Sequence, residues 1–223
     1  MPNRLLRRLF ALSLQSRFSF TIHLVDKQTL IFLGTQGSGK GTQLGLLKDF
    51  IAEKDPGRII VQVGMGRLMR ELQEEDTYAG RHAKEILAGG NLIPYAVSTA
   101  RFTNYLLSNI LTGDEHLLID GYPRTPEQVP ALDSAMEYFA RGKVTVVHLD
   151  ISEEEAMKRL LPRKRYDDTE EGIRHRLKWS REQTMPNIEW FRKHPDRYNV
   201  IDVFGERPIE EVQQEIRQKL RLL

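Results

Sequence analysis

Five short apolar runs punctuate the chain: Leu30–Leu33, Ile59–Val63, Leu117–Ile119, Val144–Leu149 and Val200–Val203. They are continuous rather than alternating, the pattern of strands covered on both faces, and helical signals lie between them. Ser152 with Glu155, Thr125 with Gln128 and Asp168 with Glu171 have capping-box spacing, and Pro126 suits a first helical position. Gly89-Gly90 stops one helix and Pro94 can start the next. This β-α alternation predicts a three-layer α/β sandwich whose ligands sit at the carboxyl ends of a parallel sheet. The interval from Gly64 to His116 is too long for one crossover helix. It must hold several, and is a candidate substrate-binding subdomain. A second helical stretch runs from Arg159 to Arg197 and ends near Trp190-Phe191.

The first apolar run feeds directly into Gly34-Thr-Gln-Gly-Ser-Gly-Lys-Gly-Thr-Gln43. A buried strand, a glycine-rich loop with one lysine and a following helix form the phosphate-cradling layout G-x-x-x-x-G-K. Gly37, Ser38, Gly39 and Gly41 let backbone N–H groups converge on oxyanions, and the next helix adds its positive end. Lys40 can neutralise β- and γ-phosphates, and Thr42 offers a hydroxyl to a metal. Gly41 occupies the place where most such loops carry Ser or Thr. Asp120 ends the third run, at the ligand edge of the sheet near this loop. A carboxylate there can hold Mg²⁺ through water, because that ion keeps several of its waters.

Composition narrows the picture without redirecting it. Hydrophobic content of 40% and charged content of 29% suit one ordinary globular core. The net charge of +2 is too small to argue for a nucleic-acid partner. No cysteine is present, which excludes disulfides, thiolate zinc sites and thiol catalysis and fits a reducing compartment. The first 25 residues interleave Arg4, Arg7, Arg8 and Arg17 with Leu and Phe, and no acid precedes Asp26. This stretch reads as a basic extension or an arm packed on the domain, with a transit peptide or membrane-surface helix as the competing readings. Its apolar run is too short to span a bilayer. The expected location is cytoplasmic and the expected state monomeric.

Arginines then gather at loop boundaries: Arg70 upstream, Arg124 after Asp120-Gly121-Tyr122-Pro123, and Arg159, Arg163, Arg165 and Arg176 downstream. Arg159 and Arg163 are one helical turn apart, and Pro162 places Arg163 where helix gives way to loop. Taken singly, each arginine is most simply a solvated helix face. Together beside a P-loop, they form a candidate site.

Gly37-Ser38-Gly39-Lys40-Gly41-Thr42-Gln43, Asp120-Gly121-Tyr122-Pro123-Arg124 with Gln128, and Arg165-x-Asp167-Asp168 with Arg176 resemble adenylate kinases and related nucleoside monophosphate kinases. The resemblance covers about residues 29 to 222, beyond an extension at residues 1–28. It implies a five-stranded parallel core, a monophosphate-binding helical insertion at about residues 64–95 and a short mobile lid at about 163–168. It implies that Gly37 to Thr42 bind ATP phosphates and that Arg159 stacks on the ATP base, with Arg207 near the segment meeting that base. Arg70 and Arg124 would hold the acceptor phosphate, while Arg163, Arg165 and Arg176 surround the transferring group. Gln128 would read the acceptor base, in a pocket lined by Met65, Gly121 and the backbone of Leu92-Ile93. A capping role for Gln128 competes with that assignment.

The chain departs from the family pattern near the acceptor. Gln36 replaces the usual P-loop proline, Met65 the threonine associated with adenylate recognition, and Arg67 an aspartate. Tyr95-Ala96 replace a commonly acidic pair, and only Lys164 separates Arg163 from Arg165. The expected reaction is reversible transfer of the ATP γ-phosphoryl group to a nucleoside monophosphate, most simply AMP, with UMP, CMP or another monophosphate as alternatives. The acceptor is already an oxyanion, since its second pKa is ~6, so no general base is required. His82, His116, His148, His175 and His194 are scattered and read as structural or surface residues. A GTPase switch is disfavoured because N-K-x-D is absent and Asp202-Val-Phe-Gly205 is a lone D-x-x-G. A non-catalytic nucleotide sensor is disfavoured by the retained Lys40, Arg124, Arg163, Arg165 and Arg176.

Overall fold

The computed structural model describes residues 26–163 and 169–222. Strands β1 (Thr29–Leu33), β2 (Ile60–Gly64), β3 (His116–Asp120), β4 (Val144–Asp150) and β5 (Tyr198–Phe204) form one sheet in the order β2-β3-β1-β4-β5. Every pairing is parallel. The helices are α1 (Lys40–Lys54), α2 (Met65–Gln73), α3 (Tyr78–Ala88), α4 (Tyr95–Asn109), α5 (Gln128–Tyr138), α6 (Glu153–Leu160), α7 (Glu170–Trp179), α8 (Met185–Arg192) and α9 (Ile209–Lys219). A single 3₁₀ turn (Leu161–Arg163) follows α6, and a π-helical turn (Ser180–Thr184) joins α7 to α8.

Two cores flank the sheet. Ile31, Leu33, Val61, Val63, Leu117 and Ile119 face α2, α4, α5 and α8 on one side. Leu30, Phe32, Leu118, Val147 and Leu149 face α1 and α9 on the other. The three-layer α/β expectation is met, and strands β1, β3 and β4 are the ones buried on both faces. Strand β5 differs from the sequence reading, because its edge position leaves Asn199, Asp202 and Phe204 exposed in an alternating pattern. The interval after β2 holds α2, α3 and α4, and α2 buries Met65, Leu68, Met69 and Leu72 in the same core as the sheet. A third cluster, Ile151, Ala156, Leu160, Ile173 and Leu177, glues α6 to α7.

Local chemistry accounts for most element ends. Ser152 accepts from the backbone N–H of Glu155, as the capping-box spacing requires. Gly90 adopts a φ of 71° just beyond α3, and Pro94 caps α4. Two starts move from their expected positions. Helix α7 is capped by Thr169, whose hydroxyl accepts from Gly172 N–H; the expected cap Asp168 lies outside the described residues. Helix α5 begins at Gln128 rather than Pro126, because Gln128 and Val129 first donate turn bonds to Thr125 and Pro126.

Gly34 closes β1 where the P-loop begins. Its φ is +136°, and a Cβ there would sit 2.1 Å from the Leu149 carbonyl oxygen. Both the backbone conformation and the approach of β4 therefore require glycine. Gly34→Ala is expected to cost about 3 kcal/mol in stability. Urea unfolding monitored by circular dichroism checks this, and a loss below about 1 kcal/mol would contradict it.

The opposite end of the sheet carries a buried polar network. His116 Nδ1 accepts from Gln28 N–H at 3.0 Å, so the ring hydrogen sits on Nε2, 3.2 Å from Asp55 Oδ2. Arg58 pairs with Asp55, and Arg141 donates to the Glu115 carbonyl nearby. Burial lowers the His116 pKa below its ordinary 6.5, the Arg58 charge adds to this, and the bond to Asp55 opposes it. The unfolded chain then binds more protons below pH 6.5, so stability falls as pH drops through that value. The urea midpoint should be lower at pH 5.5 than at pH 7.5, and His116→Asn should flatten that slope. An unchanged slope in the variant would assign the effect elsewhere.

Candidate active site

The carboxyl ends of the strands open onto a cleft of about 930 Å³. The P-loop forms one wall. Gly37 and Gly39 take φ values of 89° and 90°, conformations that turn the loop back over the start of α1. Lys40, the first residue of α1, folds its amine onto the carbonyls of Gly34 and Thr35, each at 2.8 Å, and reaches Ser38 Oγ at 3.3 Å. Removal from water lowers its pKa to about 8; Asp120 acts against the shift, and Arg124 and Arg163 act with it. A polyphosphate bound here would supply the negative charge this ammonium lacks.

Asp120 ends β3 beside that loop, and a Cβ on Gly41 would come within 3.9 Å of its Oδ2. Gly41 and Thr42 line the cleft at this point. A side chain at position 41 would narrow the space between the loop and the carboxylate. Among the described residues no three His, Asp or Glu side chains gather as a metal cage. Asp120 and Thr42 offer one carboxylate and one hydroxyl here, a set that could hold Mg²⁺ carried in with phosphates and waters.

The far wall is a second cationic seat. Arg124 donates from Nε to the Gly121 carbonyl at 3.0 Å. A Cβ on Gly66 would lie 3.2 Å from Arg70 Nη1 and 3.9 Å from Arg124 Nη2, so both guanidinium groups converge over that glycine. Burial lowers the Arg124 pKa, Asp120 opposes the shift, and Arg70 adds to it. Arg70 is exposed and Arg124 partly buried, and two like charges this close repel each other until an anion arrives. Thr184 supports the arrangement by donating to the Arg124 carbonyl at 2.9 Å, and Asn187 donates to Pro123. Thr184 belongs to the π-helical turn, a distortion frequent at functional sites.

The remaining expected residues divide clearly. Arg159 lies along the cleft, fixed by bonds from Nε to Glu155 at 2.7 Å and from Nη2 to the Gly205 carbonyl at 2.9 Å. Arg163 and the buried Arg176 line it as well, together with Met65, Leu92, Ile93, Gly121 and Gln128. Arg207 does not line the cleft; its guanidinium bonds the Phe204 carbonyl and pairs with Glu215 on α9. Arg165 and most of the short lid lie outside the described residues. Arg67 bonds Glu71 at 2.7 Å and stacks over the Tyr105 ring.

Several cleft residues carry no local sequence signal. Tyr105 donates to the Gln62 carbonyl at 2.9 Å, and both line the cleft. Trp179 donates its indole N–H to the Gly90 carbonyl at 3.3 Å, tying α7 to the end of α3. Ser98, on the first turn of α4, meets Gln128 at 2.8 Å.

Comparison with known proteins agrees with this geometry. The family model described as adenylate kinase matches residues 32–196. An adenylate kinase of Prochlorococcus marinus is 32% identical over 194 residues, covering 87% of this chain and 99% of that protein. Adenylate kinase 1 of a Nostoc species is 31% identical over 200 residues, 86% of this chain and 97% of that one. An adenylate kinase of Mycolicibacterium smegmatis is 33% identical over 180 residues, 79% of this chain and 93% of that one. A P-loop facing a paired-arginine seat across one cleft, on a sheet ordered β2-β3-β1-β4-β5, thus accompanies a match over most of the chain, and the chain belongs to the adenylate kinase family.

Proposed function

We propose that the protein transfers the γ-phosphoryl group of ATP reversibly to a nucleoside monophosphate, with AMP the leading acceptor: ATP + AMP = 2 ADP. The observation that carries this reading is the Arg70–Arg124 pair opposite the P-loop. A switch or hydrolase that holds one nucleotide has no need of a second phosphate seat. AMP leads because the relatives are named adenylate kinases.

In this reading Gly37 to Thr42 cradle the ATP phosphates, and Lys40 recovers its full charge against them. Arg159 offers a flat guanidinium face, immobilised by Glu155 and Gly205, to the ATP base. Arg207 braces the neighbouring segment through Glu215 rather than touching the base. Arg70 and Arg124 hold the acceptor phosphate within reach of the donor. Arg163, Arg165 and Arg176 oppose charge on the transferring group, and one such arginine can be worth on the order of 10³–10⁵ in rate. Asp120 and Thr42 would hold Mg²⁺, which would supply positive charge to neutralise the phosphates. The acceptor needs no base, so the scattered histidines have no catalytic role. Residues 64–95 would move as the acceptor-binding insertion and residues 163–168 as the lid, excluding water and suppressing ATP hydrolysis.

Purified protein supplied with ATP, Mg²⁺ and each of AMP, CMP, UMP and GMP tests the proposal. Formation of ADP with one diphosphate is expected, fastest with AMP. Turnover with a pyrimidine monophosphate and not AMP would move the acceptor assignment. Absence of turnover with all four would overturn the reading.

A further inference from the structure

Gln128 and Ser98 stand 30 residues apart, at the start of α5 and on the first turn of α4, yet both are buried and both face the acceptor end of the cleft. Gln128 Oε1 accepts two backbone N–H groups, from Arg124 at 2.7 Å and Thr125 at 3.2 Å. Those donors can only face an oxygen, so the orientation of the amide is settled by its neighbours. Both acceptor sites on that oxygen are filled. On the other side, Gln128 Nε2 donates to Ser98 Oγ at 2.8 Å. The Ser98 hydroxyl hydrogen is directed at the carbonyls of Pro94 and Tyr95, each at 3.2 Å, which leaves its oxygen free to accept. Gln128 therefore has one N–H left and no acceptor left.

We infer that Ser98 is a positioning residue for acceptor recognition, holding the Gln128 amide so that it offers the acceptor base a single hydrogen-bond donor. The inference rests on the monophosphate-kinase reading of the cleft. Such a donor suits a ring nitrogen or a carbonyl oxygen on the base. It does not read an exocyclic amine, so discrimination at that group falls to other cleft atoms. Buried Met65, which lines the same cleft, adds no strong hydrogen-bonding group.

A double-mutant cycle measures the connection. With the monophosphate that the wild type turns over fastest, Ser98→Ala should raise the acceptor KM about three- to tenfold, the worth of one hydrogen bond. The kcat and the KM for ATP should stay within about twofold, and Ser98→Thr should restore the wild-type acceptor KM. In a Gln128→Leu background, Ser98→Ala should change the acceptor KM no further. Gln128→Glu keeps an oxygen for the two backbone N–H groups but donates nothing, so it should raise the acceptor KM as much as Gln128→Leu. Additive effects of the two sites, an unchanged KM in Ser98→Ala, or a wild-type KM in Gln128→Glu would each overturn the inference. Thermal melts of every variant separate these outcomes from unfolding. A wild type inactive with all four monophosphates overturns the underlying kinase reading instead.

Discussion

Lys40→Met is expected to lower phosphoryl transfer by about 10³-fold while leaving the nucleotide-free protein at least as stable as the wild type. The two halves of that result have one cause. The ammonium sits out of water with its pKa lowered to about 8, so below that pH the empty protein carries a charge it solvates poorly. For a lysine whose folded pKa lies below its unfolded 10.5, the destabilisation is fully present below about pH 8 and fades as pH rises towards 10.5. Methionine fills a similar volume without that cost. It also gives up the bonds to the Gly34 and Thr35 carbonyls. Steady-state kinetics and thermal melting at pH 7 and pH 9.5 check both halves, and the stability gain should shrink at the higher pH. A variant that keeps wild-type turnover, or melts several degrees lower at pH 7, would contradict this account.

Arg124→Ala should cut kcat/KM for the acceptor by about 10³-fold and leave the KM for ATP within about twofold. Arg124 lies beside Arg70 on the wall facing the P-loop, and Nε is anchored on the Gly121 carbonyl. Its remaining donors form a fork suited to two phosphate oxygens. Alanine removes the fork and leaves Arg70 as a single cation. Arg124→Lys keeps the charge but loses the geometry, so it should recover only part of the loss. Initial rates with each substrate varied in turn decide the matter. Equal shifts in both KM values would mean that Arg124 serves the whole cleft and not the acceptor seat.

Much of this molecule is written locally. The run Leu30–Leu33 followed by a glycine-rich loop and Lys40 needs no tertiary information to be read as a phosphate site. Pro162 ends α6 one turn before Arg163 for reasons contained in its ring. Ser98, Tyr105 and Trp179 are different. Each reaches the cleft through a partner 30, 43 or 89 residues away, a relation that no pattern of neighbouring residues encodes. Edge strand β5 was hard to foresee because the run Val200–Val203 looks buried until its place at the rim of the sheet is known. Arg207 is placed near the ATP base by the family resemblance alone. Its side chain pairs instead with Glu215, eight residues on.

The bond from the Trp179 indole to the Gly90 carbonyl has a practical consequence. The protein contains two tryptophans. Trp190 is stacked against His194 with ring centroids 3.8 Å apart and packs on the interior core. Trp179 borders the cleft itself. Adding a monophosphate should therefore change the emission of one fluorophore against the constant background of the other, and Trp179→Phe should erase the signal. Trp179, where α3 meets α7, would then report occupancy without an added dye.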